Sequence, residues 1–276
     1  FSETLYEKHP YRMNLLGTRE LIEGYKREDL LKFYESIVYP DAVVISIVGD
    51  VNTDDVIKRA NELFVPAPAG LKQGSGIMDE IFKPMPQEKK RDKVKKREAF
   101  KEKQQAHIAI GFLGATIAGS DRYPLQVISS IMSGQGGRLF IELRDKKALA
   151  YSVSTVQRDG IEPGFFAVYM GTSHDKTNEA VNGILDEIKK IVEQVVTDEE
   201  LKRAKAEIIG NYEIGLQEAS DRASDMAFNE LYGLGYDEYK RFAGKIESVT
   251  KEDILNTARR YFDMNAYTVV IVRPEK

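Results

Sequence analysis

The chain has 276 residues, 42% hydrophobic and 30% charged, a balance ordinary for a globular protein, and its length allows one and a half to two domains. A formal net charge of -4 provides no global field for nucleic acid, and the absence of cysteine excludes disulfides, a thiol nucleophile and thiolate metal sites. The longest apolar runs, such as residues 42–48, are far shorter than the roughly 20 residues a membrane helix needs. We therefore expect neither a nucleic-acid nor a membrane partner, and composition indicates no compartment.

In chain order, His9-Pro10-Tyr11 reads as a loop, because proline disfavours helix in the residue before it. Lys26 to Tyr39 has a helical apolar period (Leu30, Leu31, Phe33, Tyr34) halted by Pro40. Ala42 to Val48 reads as a buried strand, Gly49-Asp50 as a turn, and Asn52 as the cap of a helix over 54–64. From residue 65 to 99 the composition shifts: Pro66, Pro68, Gly70, Gly74, Gly76, Pro84 and Pro86 predict a linker, which ends in the basic run Lys89 to Arg97. That run reads as a nucleic-acid patch or, with acids interspersed, as a solvated linker or charged sheet edge; the second reading is preferred.

Gln105 to Leu113 alternates as a strand, and Asp121 to Met132 reads as a helix with Pro124 in its first turn. Gly134-Gln135-Gly136-Gly137 then opens a loop, followed by a helix with Leu139, Phe140 and Leu143 on one face and Arg144 at its end. Tyr151 opens the next strand, which pairs with Phe165 to Met170. Thr177 to Val195 has an apolar stripe of Ala180, Ile184, Ile188 and Ile191, and Thr197-Asp198-Glu199-Glu200 is a capping box. The helix after it is predicted to run to about Leu231, with breaks at Gly210, Gly215 or 219–224; helices over 236–245 and 251–261 and a strand over 267–272 complete an α/β chain.

The end of the chain repeats its beginning. Glu28-Asp29-Leu30-Leu31 corresponds to Glu252-Asp253-Ile254-Leu255, and residues 42–48 to 266–272, at one offset of 224 (252 − 28). Leu5-Tyr6 falls on Leu231-Tyr232 after a two-residue shift. The expected organisation is a duplicated α/β domain with the first copy truncated: residues 1–64 as the end of copy one, 65–99 as linker, 100–276 as a complete copy two. On this reading the rest of copy one lies upstream of Phe1.

Taken together, Lys8-His9-Pro10-Tyr11, Tyr39-Pro40, Val48-Gly49-Asp50-Val51, Gly136-Gly137-Arg138-Leu139-Phe140 through Arg144 to Ala150-Tyr151-Ser152-Val153, and Thr197-Asp198-Glu199-Glu200-Leu201 resemble the pitrilysin/insulinase family of zinc metallopeptidases, which includes the mitochondrial processing peptidase. The resemblance covers nearly the whole chain and implies paired homologous α/β domains, each a sheet packed by helices. Family chemistry rests on an HxxEH zinc motif, in which two histidines on one helix hold the metal and the glutamate acts on bound water. Here His9, His107 and His174 are the only histidines and no two lie four apart. The resemblance therefore implies no catalytic or metal-binding residue in this chain, with zinc in an upstream segment or a partner chain.

What the resemblance does place here is Arg144 and Tyr151, matching an arginine and a tyrosine that reach toward the substrate carbonyl in active relatives. A guanidinium offers fixed donors to a peptide carbonyl, and a phenol can donate to a developing oxyanion. Read only as residues, the same pair fits a cation at a helix C-terminus and a strand aromatic. Gly134, Gly136 and Gly137 are a candidate remnant of a glycine-rich loop, and Ala148 stands where the family often has glycine. The expectation is a substrate-chamber portion of a zinc metalloendopeptidase, inactive alone, with a peptide substrate and a catalytic half in cis or a homologous subunit in trans. The alternative is a catalytically inactive scaffold or partner subunit of the same fold.

Overall fold

The computed structural model describes residues 1–37, 43–64 and 85–275. The Tyr39-Pro40 stop, Ala42 and the Pro/Gly-rich stretch 65–84 lie outside the described residues.

Five strands form one sheet: β1 (Lys95–Phe100), β2 (Ala106–Leu113), β3 (Ser152–Arg158), β4 (Phe165–Thr172) and β5 (Thr268–Arg273). Their spatial order is β1-β5-β2-β4-β3, with β1 parallel to β5 and the other pairs antiparallel. The sheet is central because β2 alternates as its sequence demands: Ile108, Ile110 and Phe112 are buried on one face, joined there by Phe166, Val168 and Met170 of β4 and Val269 and Ile271 of β5.

That face is covered by helices. The described helices, in chain order, are α1 (Ser2–Leu5), α2 (Arg19–Gly24), α3 (Arg27–Ile37), α4 (Thr53–Leu63), α5 (Arg122–Met132), α6 (Thr177–Glu193), α7 (Asp198–Gly215), α8 (Ala219–Leu231), α9 (Tyr239–Glu247) and α10 (Lys251–Tyr261). α5 and α6 lie on the sheet through Leu125, Ile128 and Ile131 and through Ala180, Ile184, Ile188 and Ile191. Pro124 is tolerated in α5 because first-turn N–H groups have no intrahelical acceptor. α7 packs outside α5, and α10 closes the layer with Ile254, Ala258 and the following Phe262. Residues 198–231 divide at Gly215 into α7 and α8, while Gly210 stays helical.

The other face of the sheet receives the amino-terminal segment. Phe1 fills the space over Gly111, where a Cβ would come 2.7 Å from Phe1 Cζ, and its ring meets Phe165 edge-on at 5.4 Å between centroids. Leu5 and Tyr6 are buried; Tyr6 donates to the Pro163 carbonyl (3.2 Å), and Tyr11 accepts from Ile161 N (3.1 Å). Arg91 holds the end of α1, donating to the Leu5 carbonyl (2.7 Å) and pairing with Glu7 (2.9 Å).

Three expectations need correction. Residues 95–99, assigned to the linker, are strand: β1 pairs with β5 from Lys95↔Thr268 onward, and an edge strand can keep charged side chains in water. Its basic residues are matched by acids, with Lys95 on Glu7 (3.1 Å), Arg97 on Glu3 (2.9 Å) and Lys96 on Glu98 (2.7 Å). Residues 43–48 form no strand, and Val43, Val44, Ile45 and Ile47 are exposed, because no neighbouring strand among the described residues pairs their backbone. Tyr151 directly precedes β3 instead of opening it, although its N–H still bonds the Gly171 carbonyl (2.9 Å).

The repeat extends to helix ends and caps. α3 and α10 start and stop at the same offset (251 − 27 = 224; 261 − 37 = 224). Asp29 accepts from Lys26 N at 3.0 Å as Asp253 does from Thr250 N at 2.8 Å. α1 and α8 end at equivalent residues (231 − 5 = 226).

Glu238, 2% exposed, ties α5 to α9 by accepting from Tyr123 (2.7 Å), Arg122 (3.2 Å), Arg241 (3.1 Å) and Lys245 (2.5 Å). Glu238→Ala leaves these donors without their shared anion and should destabilise the fold by about 3 kcal/mol, read from urea unfolding.

Candidate functional site

The stretch from Ser133 to Ser152 is held at both ends and along one face. α5 ends at Met132, and the next residues turn tightly, with Gly137 N–H bonding the Gly134 carbonyl at 3.0 Å. Gly134 has φ +75°, and a Cβ on Gly137 would fall 2.0 Å from the Ser133 carbonyl oxygen, so this turn requires glycine at both positions. Ser133 Oγ accepts from Thr155 N (2.7 Å), which fastens the turn to β3.

Helix follows, as the spacing predicts, but it is a π-helix over Phe140–Lys146. Leu139 and Leu143 are fully buried, and Gly183 of α6 admits Leu143: a Cβ there would lie 2.8 Å from Leu143 Cδ2. Leu149 N–H bonds the Leu143 carbonyl at 2.7 Å, and Leu149 is buried in turn. Its carbonyl accepts from Thr172 Oγ1 (2.6 Å), and that of Ala148 from Lys176 Nζ (3.1 Å). Ala148 has φ +48°, the left-handed conformation that a glycine would adopt without its cost.

Arg144 and Tyr151 are carried on this anchored frame and both are exposed, Tyr151 at 62%. The Arg144 guanidinium lies 4.7 Å from the Phe140 ring centre, a cation–π contact along the π-helix. Neither side chain has a hydrogen-bond or ion-pair partner among the described residues. Gly134 and Gly136 are exposed beside them in sequence, and Gly137 is buried.

The histidines do not assemble. His9 is buried, with Nδ1 accepting from Tyr11 N (3.2 Å), and its backbone N–H bonds Glu88 Oε2 (3.1 Å). His107 Nδ1 lies 2.6 Å from Tyr169 OH on the sheet, and His174 sits in the turn before α6. Among the described residues no three His, Cys, Asp or Glu side chains group as metal ligands. The donor set needed for zinc is therefore not met by these residues.

A charged cluster that sequence reasoning missed lies beside the glycine turn. Arg138 makes a two-pronged pair with Glu200, Nε to Oε1 at 2.6 Å and Nη2 to Oε2 at 2.8 Å. Glu200 was legible as the third helical residue of a capping box and still performs that role, accepting from Thr197 N at 2.9 Å. Its second bond joins residues 62 apart, which no local pattern announces. The Arg138 fork, helped by Thr197 N–H, holds the Glu200 carboxyl down to about 2 against the opposing effect of burial. Lys190 is raised above its ordinary value, chiefly by its bond to Glu187.

Residues 25–208 match the family model described as the peptidase M16 inactive domain. The chain is 27% identical over 275 residues to a protein named as an uncharacterized zinc protease of Rickettsia bellii, covering 98% of this chain and 63% of that protein. It is 25% identical over 274 residues to a protein of Bacillus subtilis named as an uncharacterized zinc protease, YmxG, covering 99% and 64%. Among solved structures it resembles a protease from Helicobacter pylori (TM-score 0.82, 23% identity, 99% and 65% covered). It also resembles a peptidase M16 inactive domain from Pseudomonas fluorescens (TM-score 0.84, 20% identity, 100% and 64% covered). The chain thus spans just under two thirds of the length of these relatives.

Two outcomes follow from the geometry. Ala148→Gly should stabilise the chain by about 1 kcal/mol by relieving the left-handed residue, read as a rise in urea midpoint. Glu200 has a depressed folded pKa, so its contribution is present above its ordinary value of 4.5 and fades as pH falls toward about 2. Glu200→Gln should flatten that part of the stability–pH curve, measured by thermal unfolding across the same window.

Proposed function

The chain belongs to the peptidase M16 family through its inactive domain, and from that premise we propose that it forms the non-catalytic side of a peptide-hydrolysing zinc protease and presents Arg144 and Tyr151 to the peptide. The observation that carries the proposal is the contrast within one stretch: Leu139, Leu143 and Leu149 are buried, while Arg144 and Tyr151 stand exposed without partners on the frame those leucines hold. A long cation and a phenol fixed at their backbones and free at their tips suit a ligand that arrives from outside.

The chemistry assigned to them is modest. The Arg144 fork can hold a peptide carbonyl through parallel N–H donors, and the Tyr151 hydroxyl can donate to a carbonyl oxygen more strongly as that oxygen gains negative charge. Zinc, which the relatives' names carry, has no fitting ligand set among the described residues, so the proposal assigns the metal to the remainder of the longer protein or to a partner chain.

Support for a larger assembly comes from the amino-terminal third. Leu15 (92%), Leu16 (81%), Ile22, Tyr25, Leu30, Phe33 and Tyr34 are exposed. We read them as the packing face of the first copy of the repeat. Tyr6 of that copy is 1% exposed on the sheet of the second, whereas its counterpart Tyr232 is 38% exposed. On this reading Leu231 and Tyr232 seat on the sheet of a completed first copy.

In the full-length protease, Tyr151→Phe should lower turnover roughly a hundredfold and Arg144→Ala should lower kcat/KM at least about tenfold, with the unfolding midpoint unchanged. Unchanged turnover in both variants would leave an inactive scaffold as the role of this domain. Amide exchange in α3 and α4 should be fast in the 276-residue chain and slowed in the longer protein.

A further inference from the structure

Among the described residues Arg122, Arg144 and Arg273 each lie over an aromatic ring, and their other contacts set one of them apart. Arg122, 4.6 Å from the Tyr123 ring centre, also pairs with Glu238. Arg273, 5.7 Å from that of Phe100, pairs with Glu98. Arg144, 4.7 Å from that of Phe140, has neither an acid nor a carbonyl on its donors among these residues. Glu142, an acid of the same π-helix, is taken by Lys146 at 2.6 Å.

The difference has a chemical meaning. An ion pair orients a guanidinium by occupying its N–H fork, as Glu200 does with Arg138 through two bonds of 2.6 and 2.8 Å. A ring attracts the cation as a whole and supplies no oxygen to its N–H groups, so the fork stays open to a ligand. Phe140 is firm enough to serve as that ring: it is half-buried, between Leu139 and Leu143, which are fully buried in the core. Arg144 is exposed, and a free arginine side chain has large rotamer entropy that a ligand would have to remove on binding.

We propose that Phe140 is the positioning residue for Arg144, its ring holding the guanidinium in place with the donor fork open, so that a peptide carbonyl meets a group already oriented. The inference rests on the reading of Arg144 as a peptide contact. Its size is bounded: an exposed cation–π contact is worth about two- to fivefold in affinity, and Phe140 acts through Arg144 and so cannot contribute more than Arg144 does. Ordering the guanidinium is a cost of binding common to the bound substrate and its transition state, so losing the ring should raise KM. Damage to the frame would act differently, because Tyr151 is carried on the same frame and its displacement would lower kcat.

The test combines steady-state kinetics of the full-length protease with the order parameter of the Arg144 side-chain N–H, from NMR relaxation on protein carrying isotope-labelled arginine. Phe140→Leu and Phe140→Met remove the ring and keep an apolar side chain, and Phe140→Tyr keeps the ring. Either ring-free variant that folds should raise KM about two- to fivefold with kcat held, and should lower the Arg144 order parameter. Phe140→Tyr should match wild type in both, and in an Arg144→Ala background Phe140→Leu should change nothing further. An order parameter that Phe140→Leu leaves unchanged, a fall in kcat without a rise in KM, or the same rise in KM with and without Arg144 would each overturn the proposal. A loss confined to Arg144→Ala, with Phe140→Leu kinetically silent, overturns the positioning role alone. Arg144→Ala without effect on kcat/KM overturns the peptide contact, and this role with it.

Discussion

Because Gly183 has no side chain, Leu143 can sink fully against α6, and that contact sets the height and rotation of the π-helix carrying Arg144. The consequences run down the chain. With Leu143 fixed, its carbonyl captures Leu149 N–H; with Leu149 buried, the backbone between them must turn within a few residues, and Ala148 takes a left-handed conformation. The wider π turn and the strained alanine are two parts of one solution, which brings a buried leucine and the following strand into register with β4. Arg144 and Tyr151 are exposed as a result of where the leucines must go.

Three carboxylates show how burial is made tolerable in different ways. Glu238 gathers four donors and knits α5 to α9. Glu200 combines a helix cap with an arginine fork, and its pKa falls because both favour the charged form. Glu187 has one lysine and one bare oxygen. The first two are complete within the chain and serve the fold, whereas the third leaves one buried acceptor unmet. An unmet acceptor of this kind is a cost that the surrounding packing has to offset.

Membership of the M16 inactive-domain family accounts for an α/β unit built on one helix-covered sheet, and the chain around it is uneven in its packing. Residues 95–273 have a paired sheet and a closed core. Among the described residues of 13–64, α3 matches α10 in its ends, while Leu15, Leu16, Leu30 and Phe33 are exposed. Helices α3 and α10 share length and the bond that an early aspartate accepts from the N–H before the helix, while one is exposed and the other covered, which separates what a local sequence specifies from what its surroundings supply.

The sequence by itself determined the elements governed by local rules. The alternation of β2, the stripe of α6, the capping box at Thr197, the break near Gly215 and the self-match at an offset of 224 all rest on spacings within a few turns or on direct self-comparison. Through the family resemblance it also singled out Arg144 and Tyr151, both of which are exposed. It could not decide that residues 43–48 would lack a strand partner, because pairing depends on a neighbour and not on the strand's own apolar run. The basic run Lys89 to Arg97 read as solvated linker or charged sheet edge, and only β5 lying beside Lys95–Phe100 decides for the edge there. The π-helix and the Arg138–Glu200 and Glu187–Lys190 pairs likewise became visible only in three dimensions. Each follows from packing and charge matching between elements distant in sequence, which one-dimensional spacing does not encode.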